Sequence, residues 1–98
     1  MNIKIHQGYR KTVALCDSEL IGKTFEQDQK QIEINPNFFK GEEISQEKAI
    51  ILLKNLEKED ATFNIVGEKA VQTALKSKII KQEGIITIDN IPVALVLL

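Results

Sequence analysis

The sequence predicts an α/β (α+β) fold, a single layer of mixed β-sheet packed by two helices, with element order β-β-β-α-β-α-β-β. Three observations lead there. Apolar and polar residues alternate with period two near the N-terminus, two apolar stripes at helical spacing occupy the middle, and a pair of apolar runs separated by two turn residues closes the chain. Hairpins pair antiparallel while a strand-helix-strand connection gives parallel neighbours, so the sheet is expected to be mixed. At 98 residues without a linker-like stretch, residues 1–98 are expected to form one compact domain.

Ile3 and Ile5 alternate with Lys4 and His6, and Val13 and Leu15 repeat the pattern, which predicts two strands joined through Gln7 to Lys11. Gly8 is the residue expected to supply a positive φ in that connection. Asp17 to Gly22 reads as a single helical turn, with Asp17 as its cap and Gly22 as its stop. Gln31 to Asn35 alternates again and gives the third strand, ended by Asn35-Pro36-Asn37. Ser45 then caps a helix whose stripe is Ala49, Leu52, Leu53 and Leu56, and the solvated run Glu57 to Asp60 closes it. Thr62 to Val66 is β-branched and aromatic, a strand ended by Gly67. Val71, Ala74, Leu75 and Ile79 return to helical spacing, with Glu68 in the first turn and Lys76 and Lys78 near the end, as the helix dipole favours. Ile85 to Ile88 and Ile91 to Leu98 flank Asp89-Asn90, two residues that tolerate the left-handed region, and so predict a hairpin. Pro92 donates no hydrogen bond and belongs where its strand needs none. The unbroken apolar run Val93 to Leu98 predicts a strand covered on both faces, either inside the sheet or by a partner chain.

Composition narrows the function classes. Hydrophobic residues at 43% and charged residues at 28% are ordinary globular usage. The longest apolar stretch, Ile91 to Leu98, falls far short of the roughly 20 residues of a membrane-spanning helix. The N-terminus lacks the apolar block of a secretory signal, and Cys16 is the single cysteine, so a reducing, cytoplasmic setting without membrane association is expected. A net charge of −1 rules out nucleic-acid binding by bulk charge, so any such contact has to be local.

Candidate chemistry is correspondingly sparse. His6 and Cys16 are the only histidine and cysteine, they do not face each other in a hairpin turning at Gly8 and Tyr9, and no metal-ligand spacing accompanies them. No catalytic residue, metal or cofactor is expected. From Met1 to Lys11 the chain carries Lys4, His6, Arg10 and Lys11 and no acid. Tyr9, Arg10 and Lys11 lie at a hairpin tip, where an aromatic ring can stack on an unpaired base while the cations meet phosphates. Phe38, Phe39 and Lys40 offer the same combination, although an aromatic pair ahead of a helix normally packs into the core. Gly67 and Lys69 mark a strand-glycine-helix turn, the layout in which free amides and the helix dipole hold an anion, although it has none of the glycine spacing of a P-loop.

The segments Val13-Ala14-Leu15-Cys16-Asp17, Leu20-Ile21-Gly22-Lys23, Phe38-Phe39-Lys40-Gly41 and Phe63 to Val71 together resemble the archaeal family known as domain of unknown function 424. The resemblance spans essentially the whole chain. It implies a small, stand-alone, cytoplasmic archaeal protein, with RNA or ribosome-associated factors as partners, a role associated with translation, and no catalytic residues. The expected function is thus a non-catalytic RNA-binding accessory module contacting RNA through Lys4, His6, Tyr9, Arg10, Lys11 and Lys40. The alternatives are an assembly subunit, including a homo-oligomer, that pairs through its C-terminal apolar strand, and a binder of small phosphorylated ligands at Gly67 and Lys69.

Overall fold

The computed structural model describes residues 1–97. Strands β1 (Asn2–His6) and β2 (Thr12–Cys16) form the N-terminal hairpin, with Asn2 opposite Cys16 and His6 opposite Thr12. A 3₁₀ turn over Ser18–Leu20 leads to a separate hairpin of β3 (Thr24–Gln27) and β4 (Lys30–Glu33), followed by the single-turn helix α1 (Pro36–Phe39) and the two-residue strand β5 (Glu42–Glu43). Helix α2 (Gln46–Lys58), strand β6 (Thr62–Val66) and helix α3 (Glu68–Lys76) come next. A second 3₁₀ turn, Gln82–Gly84, precedes the final hairpin of β7 (Ile85–Ile88) and β8 (Ile91–Val96). The main sheet has the order β5-β1-β2-β6-β8-β7, with β2 and β6 parallel and every other pair antiparallel.

The fold is therefore the mixed α+β arrangement expected, with additions. The third expected strand exists as β4 but leaves the main sheet to pair with β3, whose Thr24-Phe25-Glu26-Gln27 is too polar to stand out by alternation. Asn35-Pro36-Asn37 does end β4, yet it also starts a helix: the Asn35 side chain accepts from the Asn37 amide at 2.9 Å and Pro36 takes the first helical position. Gly8 has no positive φ, because a five-residue loop can close the β1–β2 hairpin without one.

Period-two side-chain alternation divides the core into two layers. Val13, Leu15, Phe63, Ile65 and Ala94 face α2 and α3, where they meet Leu53, Leu56, Ala70, Val71 and Ala74. Ala14, Cys16, Val66, Val93 and Ile88 face the other way, against Leu20, Ile34 and Phe39 from the 3₁₀ turn, the β4 end and α1. The two helices thus cover one face and the β3–β4 hairpin with α1 covers part of the other. Ser45 caps α2 as expected, accepting from the Lys48 amide at 3.3 Å. Helix α3 stops earlier than its stripe suggested: Lys78 has φ 65° and Ile79 packs into the core from the turn beyond the helix.

The C-terminal hairpin turns through Asp89 and Asn90, both left-handed at φ 51° and 65°, and Pro92 lies opposite Thr87. Strand β8 sits between β6 and β7, so its edges are both paired. Its faces are not both covered: Leu95 is 55% exposed, because the covering elements on the second face stop short of it, and Leu97, just past the strand, is 70% exposed. Leu98 lies outside the described residues.

Candidate nucleic-acid interface

The β1–β2 ladder holds the loop from Gln7 to Lys11 out from the sheet, and the Tyr9 side chain at its tip is fully exposed. An open concavity of about 500 Å³ is bounded by this loop together with Glu59 and Asp60 from the end of α2. Lys11 spans it, with Nζ 2.8 Å from Glu59 Oε1. Glu59, read from sequence as part of a solvated run, therefore tethers the base of the tip to α2. Arg10 is exposed and forms no ion pair among the described residues.

Lys4 and His6 share the sheet face that carries α1, because both alternate with the core-facing Ile3 and Ile5. Lys4 Nζ donates to the Asn37 carbonyl at 2.8 Å, and His6 Nε2 lies 2.9 Å from the Phe38 carbonyl. The His6 ring stacks on Phe38 with centroids 4.7 Å apart and planes 15° apart, and Phe38 meets Phe39 edge-on at 5.0 Å. Phe39 is buried and Phe38 half-buried, so the first ring is core and the second is shared between core and surface. His6 is thus committed to seating α1. Lys40 is exposed at the end of α1, and the next residue, Gly41, lies against the Ile3 carbonyl, which brings Lys40 close to Lys4. The six residues expected as contacts consequently follow one margin of the molecule, Lys40 and Lys4 at one end, His6 between, and the Tyr9 tip beyond the end of β1. Glu42 and Glu43 of β5 border this margin, and because Lys11 is paired with Glu59, the cations along it without an ion pair among the described residues are Lys4, Arg10 and Lys40.

The strand-glycine-helix turn is built differently from the phosphate cradle its sequence suggested. Gly67 has φ 109° and ψ 158°, a conformation open essentially to glycine alone. The buried Asp17 carboxylate sits at the start of α3, with Oδ1 2.8 Å from the Ala70 amide and Oδ2 3.2 Å from the Lys69 amide. A Cβ on Gly67 would fall 2.7 Å from both of these oxygens. The helix start already has its anion, supplied by the chain, and the Lys69 side chain points into solvent rather than to a cradle. The sequence predicts Asp17 as the cap of the helical turn that follows it, but in that turn, a 3₁₀ turn, its side chain makes no cap bond. The signal that locates it is the parallel β2–β6 pairing, which runs Leu15 beside Ile65 and Cys16 beside Val66, and so sets Asp17 beside Gly67.

Cys16 and His6 lie at opposite ends of the β1–β2 ladder. Cys16 is fully buried, and burial, reinforced by the neighbouring Asp17 charge, pushes its thiol pKa up to about 12, so no thiolate is available at neutral pH. Glu43 accepts hydrogen bonds from the Ser18 hydroxyl and, at 3.0 Å, from Asn2 Nδ2, and it receives the N-terminal ammonium at 3.3 Å. The Ser18 bond, more than the other contacts, holds the Glu43 carboxyl below the usual carboxylate range. Among the described residues no group of three or more His, Cys, Asp or Glu side chains is arranged to hold a metal, and no helix is long and apolar enough to cross a membrane.

The family model for proteins of unknown function designated DUF424 matches residues 5–98. The chain belongs to the DUF424 family. A solved structure of an uncharacterized conserved protein from Methanopyrus kandleri is similar to this DUF424 chain with a TM-score of 0.85, over 96% of this chain and 87% of that one, at 20% sequence identity. At that identity the likeness concerns the fold of the DUF424 protein, and no curated protein matches it.

Proposed function

We propose that this DUF424 protein is a non-catalytic RNA-binding accessory module, associated with translation, that takes an unpaired stretch of RNA along the β1–β2 tip and the α1 margin. The observation that carries the reading is Tyr9, a fully exposed aromatic ring beside Arg10, which has no ion pair among the described residues, on a loop anchored by the hairpin ladder and the Lys11–Glu59 bridge. An aromatic ring held in solvent has a hydrophobic cost that base stacking offsets. In this reading Tyr9 stacks on a base, Arg10, Lys4 and Lys40 meet successive phosphates, and His6 positions α1 so that Lys40 is aligned. Lys11 braces the loop. The buried Cys16 and the separation of His6 from it favour binding over chemistry.

The test is titration of the purified protein with fluorescein-labelled oligouridylate at several salt concentrations. Three phosphate contacts on a single strand predict a slope of log affinity against log salt of about −2, reduced by about 0.7 in Arg10→Ala. Absence of binding at low salt, or affinity indifferent to Arg10→Ala together with Lys11→Ala, removes the reading.

A second reading, a subunit that assembles with itself or another protein, draws on Ile86 and Leu95, which share one face of β7 and β8 and are 49% and 55% exposed, and on Leu97 just past β8, which is 70% exposed. Sedimentation of the purified chain tests it, with a monomer at every concentration and in cell extract counting against it. The phosphate-ligand reading has no such support, since Asp17 holds the amides it needs.

A further inference from the structure

The two margins of the six-stranded sheet are finished differently. One ends in β5, only two residues long and both of them glutamate, and short charged edges resist the addition of another strand. The other ends in β7, Ile85-Ile86-Thr87-Ile88, which has neither charge nor proline. Because the two-residue turn makes Ile88 and Ile91 a hydrogen-bonded pair, Ile86 and Ile88 turn their backbone groups to β8, and Ile85 and Thr87 turn theirs outward. The Ile85 amide donates to the Gln82 carbonyl, which leaves Thr87 presenting a donor and an acceptor at the edge.

Beside this edge, on the helix side of the sheet, runs a groove of about 440 Å³ between α3 and β7, with Val71, Leu75 and Ile85 as its apolar part and Glu68, Gln72 and Thr87 as its polar part. On the opposite side of β7, Ile86 is half exposed. A strand laid along β7 therefore finds the apolar part of the groove on one face, Ile86 beside the β3–β4 hairpin on the other, and the Thr87 backbone groups within reach of its own. Charge decides what that strand is. Glu68 lies in the groove, Glu83 just before β7 and Asp89 just after it, with Lys81 the one basic residue on the flanking chain from 81 to 89. Two copies pairing β7 to β7 about a two-fold axis would bring the acidic residues that flank the strand, Glu83 and Asp89, from both copies to one seam and give Glu68 no counter-charge. We propose that the β7 edge and the α3 groove dock an extended segment of a partner protein in which aliphatic residues alternate with lysine or arginine. This site shares no residue with the tip and margin assigned to RNA.

The experiment adds a fluorescein-labelled peptide of about ten residues, alternating lysine and valine, to the full chain, with a glutamate-valine peptide as comparison, and follows anisotropy and the backbone amide resonances. The expected result is binding of the basic peptide alone, with the amides of Thr87 and Gln72 shifted and those of Tyr9 and Arg10 unmoved. Glu68→Lys, at an exposed position that leaves the fold intact, weakens binding by about tenfold. Thr87→Pro, which deletes the outward N–H, abolishes it, and if that variant does not fold Glu68→Lys still decides. Equal affinity for both peptides, no shift at Thr87, a Thr87 shift that follows protein concentration instead, or one produced by oligouridylate would each overturn the proposal. Loss of RNA binding by the tip would leave these readouts unchanged, so the two ideas fail separately.

Discussion

Replacing Gly67 with alanine places a Cβ 2.7 Å from both carboxylate oxygens of Asp17 and holds a non-glycine residue at φ 109°, so the variant loses stability twice over. The backbone strain is about 1–3 kcal/mol. Displacing Asp17 frees the Ala70 amide, which is buried, and the Lys69 amide, which is partly so, adding about 2 kcal/mol for the lost charged cap. The sum, about 3–5 kcal/mol, is a large share of the 5–15 kcal/mol typical of a domain and leaves a folded but weakened protein. Asp17→Ala alone should cost about 2 kcal/mol and Asp17→Asn, which keeps one acceptor oxygen, about 1 kcal/mol. Urea unfolding of the four-member cycle formed by the parent, Gly67→Ala, Asp17→Ala and the double variant measures this directly. Removing the Asp17 side chain relieves the collision, so Gly67→Ala in that background should cost only the strain, and the two losses should fall short of additive by about 2 kcal/mol. Full additivity would refute the claim that Gly67 is required by the carboxylate that caps α3.

Two other outcomes concern Cys16 and His6, at opposite ends of the β1–β2 ladder. The raised Cys16 pKa makes folding favour the neutral thiol, so its contribution is intact below the unfolded-state value of 9.0 and declines as pH climbs toward about 12; Cys16→Ala should flatten the alkaline limb of a stability-pH profile while adding a cavity cost of about 1 kcal/mol at neutral pH. His6→Ala removes the Phe38 stack and the carbonyl bond that seat α1, which should lower stability by about 1–2 kcal/mol and the melting temperature by about 4–8 °C per kcal/mol, and should weaken RNA binding far less than a change at Tyr9.

Local patterns in the sequence carry most of the fold. Alternation over Ile3 to His6 and Val13 to Leu15, the Ser45 cap and the Asp89-Asn90 turn each depend on neighbours within a few positions, and each appears in the structure where those neighbours place it. Features that depend on distant chain were not readable. The β3 strand is polar because one of its faces is solvent, and β5 is two residues long because its role is to close a margin; neither has a periodicity to detect. The partial exposure of β8 follows from where the β3–β4 hairpin happens to end, which no property of Val93 to Leu97 encodes. At the candidate site, the exposed tip was legible from composition, whereas the pairing of Lys11 with Glu59 spans 48 positions and that of Asp17 with Ala70 spans 53, and both needed the sheet order first. The Asp17 pairing altered the functional reading most, by converting an apparent anion site into an internal cap.

The central claim, that the tip of the β1–β2 hairpin holds unpaired RNA, is tested most directly by Tyr9→Ala in the oligouridylate titration, because Tyr9 is fully exposed and its removal leaves the fold untouched. Loss of one stacked base predicts affinity reduced by about tenfold with the salt slope near −2 retained. Affinity equal to that of the parent chain would contradict the account.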